Sequence, residues 1–206
     1  MHYQQNSFTE LFKELYRRIF QRNPIIVLIA GLCPVLAIST TVSNAFSMSI
    51  IVLCVLLLSD VTIRLVRQFF KIELMYFLHV LILSFYVTIV DLFLKGFYIE
   101  ISNNLGIFIP LIAVNCLFFE QYENSRKQPS FLLSLFSAIG SGIGFALIMI
   151  FVSFLRELLG SGKVFEVTVF SKPPAIFSLA PGGFIVIGFI TAFIAYIGKR
   201  FNRDDK

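Results

Sequence analysis

Charge is what this sequence lacks over its longest stretch. No Asp, Glu, Lys or Arg occurs between Arg22 and Asp60, and 14% of the chain is charged against 57% apolar. With a mean hydropathy of +0.86, several uncharged runs are long enough to cross a ~30 Å hydrocarbon core, so the chain is an integral membrane protein. Nowhere is there a polar stretch long enough to fold as a soluble domain. A chain this lean is expected to work as a subunit. Cysteine is scarce too: three residues, an odd number, all in apolar runs, which argues against a disulfide framework. Residues 1–22 are polar and mixed in charge without a small-residue cleavage site, so no signal peptide is expected and the chain should stay whole. The net charge of +5 does not mean nucleic-acid binding, because basic residues of a membrane protein mark its cytoplasmic side.

What is present centres on Gly31-Leu32-Cys33-Pro34, inside an uncharged run that opens at Asn23-Pro24. A helix entering lipid at Pro24 and rising about 1.5 Å per residue carries Cys33 to roughly mid-membrane. There Pro34 has no N–H to give and Gly31 weakens the helix, while Ser39, Thr40, Thr41 and Ser43 follow. Broken backbone at that depth survives only where protein buries it or where it lines a cavity. A soft thiol at such a break is a candidate metal ligand. The run from Ile107 through Pro110 to Asn115-Cys116 echoes the first. Cys116 lies 12 residues past Asn104, and Cys33 lies 10 past Asn23.

Along the chain, residues 1–22 read as a juxtamembrane amphipathic helix, with Phe8, Leu11, Leu15, Ile19 and Phe20 at helical spacing among Lys13, Arg17, Arg18 and Arg22. An interfacial anchor is the plain expectation. Six spans follow, near 24–42, 45–63, 74–94, 104–119, 131–155 and from 177 or 184 to 197, with a tight turn at Ser43-Asn44 and a break at Pro181-Gly182-Gly183. The domain plan is therefore 1–22 juxtamembrane helix, 23–198 transmembrane domain and 199–206 tail. Asp60 and Arg64, one turn apart, read as an interfacial ion pair. His79 and Asp91 lie within the third span but near its ends, and interfacial placement is the expectation for both. Gly140-Ser141-Gly142-Ile143-Gly144 reads as close helix packing. Arg156 to Lys163 reads as a loop whose glycine spacing is wrong for phosphate binding. Cys54, with neither glycine nor proline beside it, reads as a packing residue.

Lysine and arginine set the direction. The N-tail holds Lys13, Arg17, Arg18 and Arg22, the second loop Arg64, Arg67 and Lys71, the fourth Arg126 and Lys127, and the C-tail Lys199, Arg200, Arg203 and Lys206. Opposite them stand only Lys95, Arg156, Lys163 and Lys172. Both termini are expected to be cytoplasmic. Three spans separate the first from the fourth, so a repeat of three inverts. The expected fold is all-α integral membrane: six transmembrane helices as two inverted three-helix repeats with broken first helices. Cys33 and Cys116 then approach the membrane centre from opposite sides. Two thiolates are half the usual set for an iron–sulfur cluster, and a similar partner would supply the rest. From residues alone, small packing cysteines and an inverted-repeat secondary transporter without a redox centre remain open, as does a structural scaffold.

These residues resemble one family, the paired six-span subunits of Rnf-type ferredoxin:NAD⁺ oxidoreductases and of sodium-translocating NADH:quinone oxidoreductases. The resemblance is carried by Asn23-Pro24 with Gly31-Leu32-Cys33-Pro34, by the run from Leu105 to Ile112 with Asn115-Cys116, by Arg156 to Phe165, and by Pro181-Gly182-Gly183-Phe184. Gly31-Leu32-Cys33-Pro34 and the Leu105 to Ile112 run are most similar to the Rnf E subunit, whereas overall length and residues 99–102 lean toward the quinone enzyme's D subunit. The resemblance implies that Cys33 and Cys116 ligate the iron of a [2Fe–2S] cluster shared with a homologous Rnf A-type partner. It also implies an electron-transport and ion-translocating complex with flavin- and iron–sulfur-bearing subunits, in a bacterial or archaeal cytoplasmic membrane. No residue of this chain is implied to be catalytic alone. One departure stands out: where the family has Gly-Arg-Ala-Glu-Ala after the second cysteine, this chain has Glu120-Gln121-Tyr122-Glu123-Asn124, with Gln121 in place of the arginine.

Overall fold

A computed structural model describes residues 8–21, 31–39, 41–67, 72–99, 105–106, 108–128, 130–161, 163–164, 167–168 and 180–201. The starts of the first and fourth spans, the Thr40 position and the Gly162 and Phe165 positions lie outside them. The described elements are helical apart from one small antiparallel hairpin. Helix α1 spans Phe8–Tyr16 and continues into a π-helical turn at Arg17–Gln21. Helix α2 is Leu32–Ile38, α3 is Val42–Val66 and α4 is Ile72–Phe97. A 3₁₀ turn at Pro110–Val114 leads to α5, Cys116–Lys127, then α6, Phe131–Ser161. Strands β1 (Lys163–Val164) and β2 (Val167–Thr168) pair antiparallel, and α7 runs Ala180–Phe201.

Three described helices are long and apolar enough to cross a membrane: Val42–Val66, Leu74–Phe97 and Phe131–Gly160. The first and third are each half buried within the protein, whereas the second is only 22% buried. Helices α3 and α6 therefore form the central pair, and α4 flanks them with Phe77, Leu81, Phe85, Leu92 and Phe93 turned outward. Outward apolar side chains at this density are what lipid or a neighbouring subunit requires and water would punish. The core between α3 and α6 holds Met48, Val52, Val55 and Leu56 against Phe145, Met149 and Val152, capped by Ile109, Ile112, Leu117 and Phe118.

The glycine run on α6 does serve packing, with two separate partners. A side chain at Gly140 would meet Arg18 Cβ at 2.8 Å and the Leu15 carbonyl at 3.2 Å, while one at Gly142 would strike the Leu53 side chain. Small residues here admit the N-terminal helix on one side and α3 on the other. Helix α1 lies on α6 with Leu11, Glu14 and Arg18 buried and Phe12 and Tyr16 exposed, so its charged residues face inward as well as outward.

Several boundaries differ from the expected ones. Ser43 and Asn44 are not a turn but sit in the first turn of α3, because α2 already ends at Ile38 and Thr41 caps α3. The Pro181-Gly182-Gly183 stretch is no break: it opens α7, where proline's missing N–H belongs to the first turn and costs no bond. The fourth-span helix runs on to Lys127 instead of ending near residue 119, and α6 continues through Arg156 and Glu157 to Ser161. Of the charged residues in these extensions Arg156 is buried in the protein, whereas Glu123 and Arg126 are half-buried and Lys127 is exposed.

Candidate functional site

The two breaks that carry the cysteines touch each other. Gly31 sits at φ +88°, in the left-handed region that favours glycine, and immediately precedes α2. A side chain there would also lie 3.0 Å from the Phe145 ring and 3.6 Å from Asn115 Oδ1. The backbone break thus falls at Gly31 rather than at Pro34. Pro34 lies in the first turn of α2, where the backbone N–H groups have no partner within the helix, so it is accommodated without loss.

On the opposite side, Asn115 is extended (φ −73°, ψ 127°) and caps α5, its Oδ1 accepting the Leu117 N–H at 3.1 Å. Asn115 is buried, and its Nδ2 has no partner among the described residues. Cys116 follows as the first residue of α5. The Gly31 N–H donates to Cys116 Sγ at 2.9 Å, joining positions 85 residues apart. Cys33 lies two residues beyond Gly31 in the first turn of α2. Both Cys33 and Cys116 are nonetheless exposed, at the start of helices whose other faces are buried. Two uncovered thiols at adjoining breaks could supply two of the four thiolates that an iron–sulfur cluster takes. Among the described residues no group of three or more His, Cys, Asp or Glu side chains could close one within this chain. The donor set therefore fits a cluster only if a second protein brings the remaining thiolates. An N–H aimed at one sulfur is the contact that stabilises a thiolate ligand.

The other singled-out residues fall elsewhere. Cys54 is exposed on α3, outside the core where a packing residue was expected. Asp60 and Arg64 form no salt bridge with each other; each turns instead toward α5 and α6, with Asp60 buried. His79 is buried rather than interfacial. Its ring stacks on Tyr122 at 4.9 Å between centroids and meets Phe119 edge-on at 5.8 Å. Neither ring nitrogen makes a hydrogen bond of ordinary geometry among the described residues. Asp91 pairs with Lys95 at 2.6 Å near the end of α4. Glu123 lies 3.5 Å from Arg126.

Gln121 is buried and accepts from Ser141 Oγ at 3.1 Å. The positive charge in this neighbourhood comes from α1's extension: Arg18, almost wholly buried, donates to Glu120 at 2.8 Å and lies 3.4 Å from Glu14. Sequence reading missed this, because the partners are 102 positions apart. It also missed Arg156 and Glu157, read as loop. The available signal was a charged pair directly ending a long apolar run.

Comparison with known proteins gives the family. The model of the Rnf-Nqr family, described as "Rnf-Nqr subunit, membrane protein", matches residues 11–191. The E subunit of the Na⁺-translocating ferredoxin:NAD⁺ oxidoreductase complex of Acetobacterium woodii is 32% identical, over 91% of this chain and 97% of that one. The D subunit of the Na⁺-translocating NADH-quinone reductase of Haemophilus ducreyi is 34% identical, over 87% and 91%. The E subunit of the ion-translocating oxidoreductase complex of Methanosarcina acetivorans is 32% identical, over 89% of each chain. With a matching model over nearly its whole length and such relatives, this chain belongs to the Rnf-Nqr family of membrane subunits.

Proposed function

We propose that this chain is the electron-carrying membrane subunit of an Rnf-type ion-translocating oxidoreductase, in which Cys33 and Cys116 supply two of the four thiolates of a [2Fe–2S] cluster. A homologous six-span partner supplies the other two. The chain is then part of a redox enzyme and not a catalyst alone, and the remaining subunits carry flavin and iron–sulfur centres. The reading is supported above all by the Gly31 N–H to Cys116 Sγ contact, which brings the two cysteine-bearing breaks to one place. Six spans arranged as two inverted halves, with both termini on the cytoplasmic side of the membrane, complete the proposal. The charge distribution of the sequence and the matching break before each cysteine support it.

When bound, such a cluster supplies a reversible one-electron carrier inside the bilayer. The chain's own residues hold the thiols for it. Gly31 directs its N–H at Cys116, Asn115 fixes the start of α5 and hence the sulfur's direction, and Phe145 fills the space beside Gly31. Ile112, Leu117 and Phe118 are fully buried around Asn115, which keeps water from the protein side of the site. A low-dielectric wall and fixed N–H donors are the means by which a protein tunes such a centre.

The Rnf E reading is favoured over the quinone-enzyme D reading by Gly31-Leu32-Cys33-Pro34. The latter is kept because the Haemophilus ducreyi relative is as similar as the Rnf-type ones. The test is iron content and the reduced-state EPR spectrum of this chain purified with its six-span partner, wild type beside Cys33→Ser and Cys116→Ser. About two irons per pair, lost in either variant together with electron transfer, is the expected result. An iron-free complex, or a spectrum that survives both substitutions, sinks the electron-carrier reading and brings the inverted-repeat transporter forward.

A further inference from the structure

Each break between a short cysteine-bearing helix and the long helix after it is bridged by an acid and a base from the other half of the chain. At the α2–α3 break, Arg156 of α6 donates from Nη1 to the Leu36 carbonyl at 2.8 Å and to Ser39 Oγ at 2.7 Å. Its neighbour Glu157 accepts the Val42 N–H, the first of α3, at 2.7 Å. At the α5–α6 break, Arg64 of α3 donates from Nη2 to the Ser125 carbonyl at 2.8 Å and the Gln128 carbonyl at 3.2 Å, and from Nε to Ser125 Oγ at 3.3 Å. Asp60, one turn earlier, accepts Ser134 Oγ at 2.9 Å in the first turn of α6.

The arrangement recurs, with the acid taking a backbone N–H at the first break and a serine hydroxyl at the second. The last carbonyls of a helix have no partner within it, and in a membrane-embedded protein other protein groups must serve them. A guanidinium presents several donors in a fixed fork, so it can take a carbonyl and a serine hydroxyl at once. The acid beside it takes up a donor at the start of the following helix. Sequence order conceals the match, since the acid precedes Arg64 by four residues but follows Arg156 by one.

We propose that Arg156 and Arg64 are a crossed pair of positioning residues. Arg156, from the second half, sets the helix that carries Cys33, and Arg64, from the first half, sets the helix that carries Cys116. The proposal rests on the half-site reading for its functional consequence, but the crossed anchoring is measurable without iron. Arg156 is buried, and a side chain at Gly183 on α7 would come within 3.2 Å of its Cζ, so the guanidinium is enclosed from a third side.

The experiment uses the complete complex with Arg156→Gln, Arg64→Gln and the corresponding lysine variants. Peptide-resolved hydrogen exchange follows residues 32–38 and 116–127, in iron-loaded and iron-depleted preparations. Arg156→Gln is expected to speed exchange of the first segment by about tenfold and leave the second nearly unchanged, with Arg64→Gln doing the reverse. Both are expected to lose iron to a chelator about tenfold faster and to shift the midpoint potential of the cluster. Lysine, which can hold one acceptor but not the fork, falls between glutamine and wild type. Should an arginine variant fail to assemble, Ser39→Ala removes only Arg156's hydroxyl partner and is expected to loosen residues 32–38 by about twofold. Equal loosening of both segments, or none in either, overturns the proposal. If wild type holds no iron but the crossed exchange pattern appears, the positioning survives and the cluster reading fails. Iron retained with uncrossed exchange means the reverse: the cluster reading stands and the positioning falls.

Discussion

The two short helices that carry the cysteines are held in place by different means. Helix α2 is seven residues, Leu-Cys-Pro-Val-Leu-Ala-Ile, without a charge, and packs through Val35 and Ile38 into the apolar core. Helix α5 is twelve residues and carries Glu120, Gln121, Glu123, Asn124 and Arg126. Most of these meet polar partners: Arg18 on Glu120, Ser141 on Gln121, and Asn124 donating to Ser137 at 2.6 Å. An apolar helix is held by the fit of its side chains into the core, whereas hydrogen bonds in low dielectric add directional contacts that fix register. One thiol is therefore placed mainly by packing plus a single arginine, and the other by a polar network that reaches the N-terminal helix.

Substitutions can tell these two kinds of anchoring apart, and the buried charge pair on α5 should respond most. Arg18→Ala removes one partner of that pair and leaves Glu120 uncompensated, while Glu14 keeps Arg17, so a loss of about 3–5 kcal/mol is expected. It should appear as sharply lowered abundance of the assembled complex, with α5 exchanging faster and α2 unaffected. Gly31→Ala forces a side chain into the left-handed region at a cost of about 1–2 kcal/mol and presses on the Phe145 ring. It should weaken iron retention more than it lowers the melting temperature, since the displaced atom is the N–H on Cys116. Gly140→Ala wedges α1 from α6 against Arg18 Cβ and the Leu15 carbonyl, an overpacking cost of about 1–3 kcal/mol visible in the melting temperature. Asn124→Ala deletes one hydrogen bond of α5 and is expected to cost about 1 kcal/mol in a chemical-denaturation series. Asp91→Asn, in an ion pair whose lysine is largely exposed, should change stability by less than about 1 kcal/mol and serves as the control.

Much of the site was legible in sequence. Gly31 and Asn115 mark the breaks because glycine tolerates positive φ and asparagine caps helices, and each cysteine follows within two residues. The small-residue run on α6 was legible as packing for the same local reason. Other readings failed where charge was assumed to seek the membrane surface. Asp60 and Arg64 are one turn apart and invite pairing, yet Arg64 turns to carbonyls at the end of α5 and Asp60 to the Ser134 hydroxyl on α6. His79 is near the end of an apolar run, but α5 folds over it and turns an interfacial position into an interior one. Beside Gln121, where the family motif leads one to expect an arginine, Arg18 reaches the neighbouring Glu120 from another element.

The class of protein, the places where helices must break and the two thiols at those breaks were all written in the order of residues. They follow from hydropathy, from proline and glycine, and from capping residues, all of which act within a few positions of one another. Only the packed fold brought Gly31 to Cys116 and Arg18 to Glu120, and set Arg64 and Arg156 each to secure the opposite half. Those contacts join residues from 61 to 120 positions apart. Which distant partner satisfies a buried helix end depends on how whole helices pack, and no local preference of the chain encodes it.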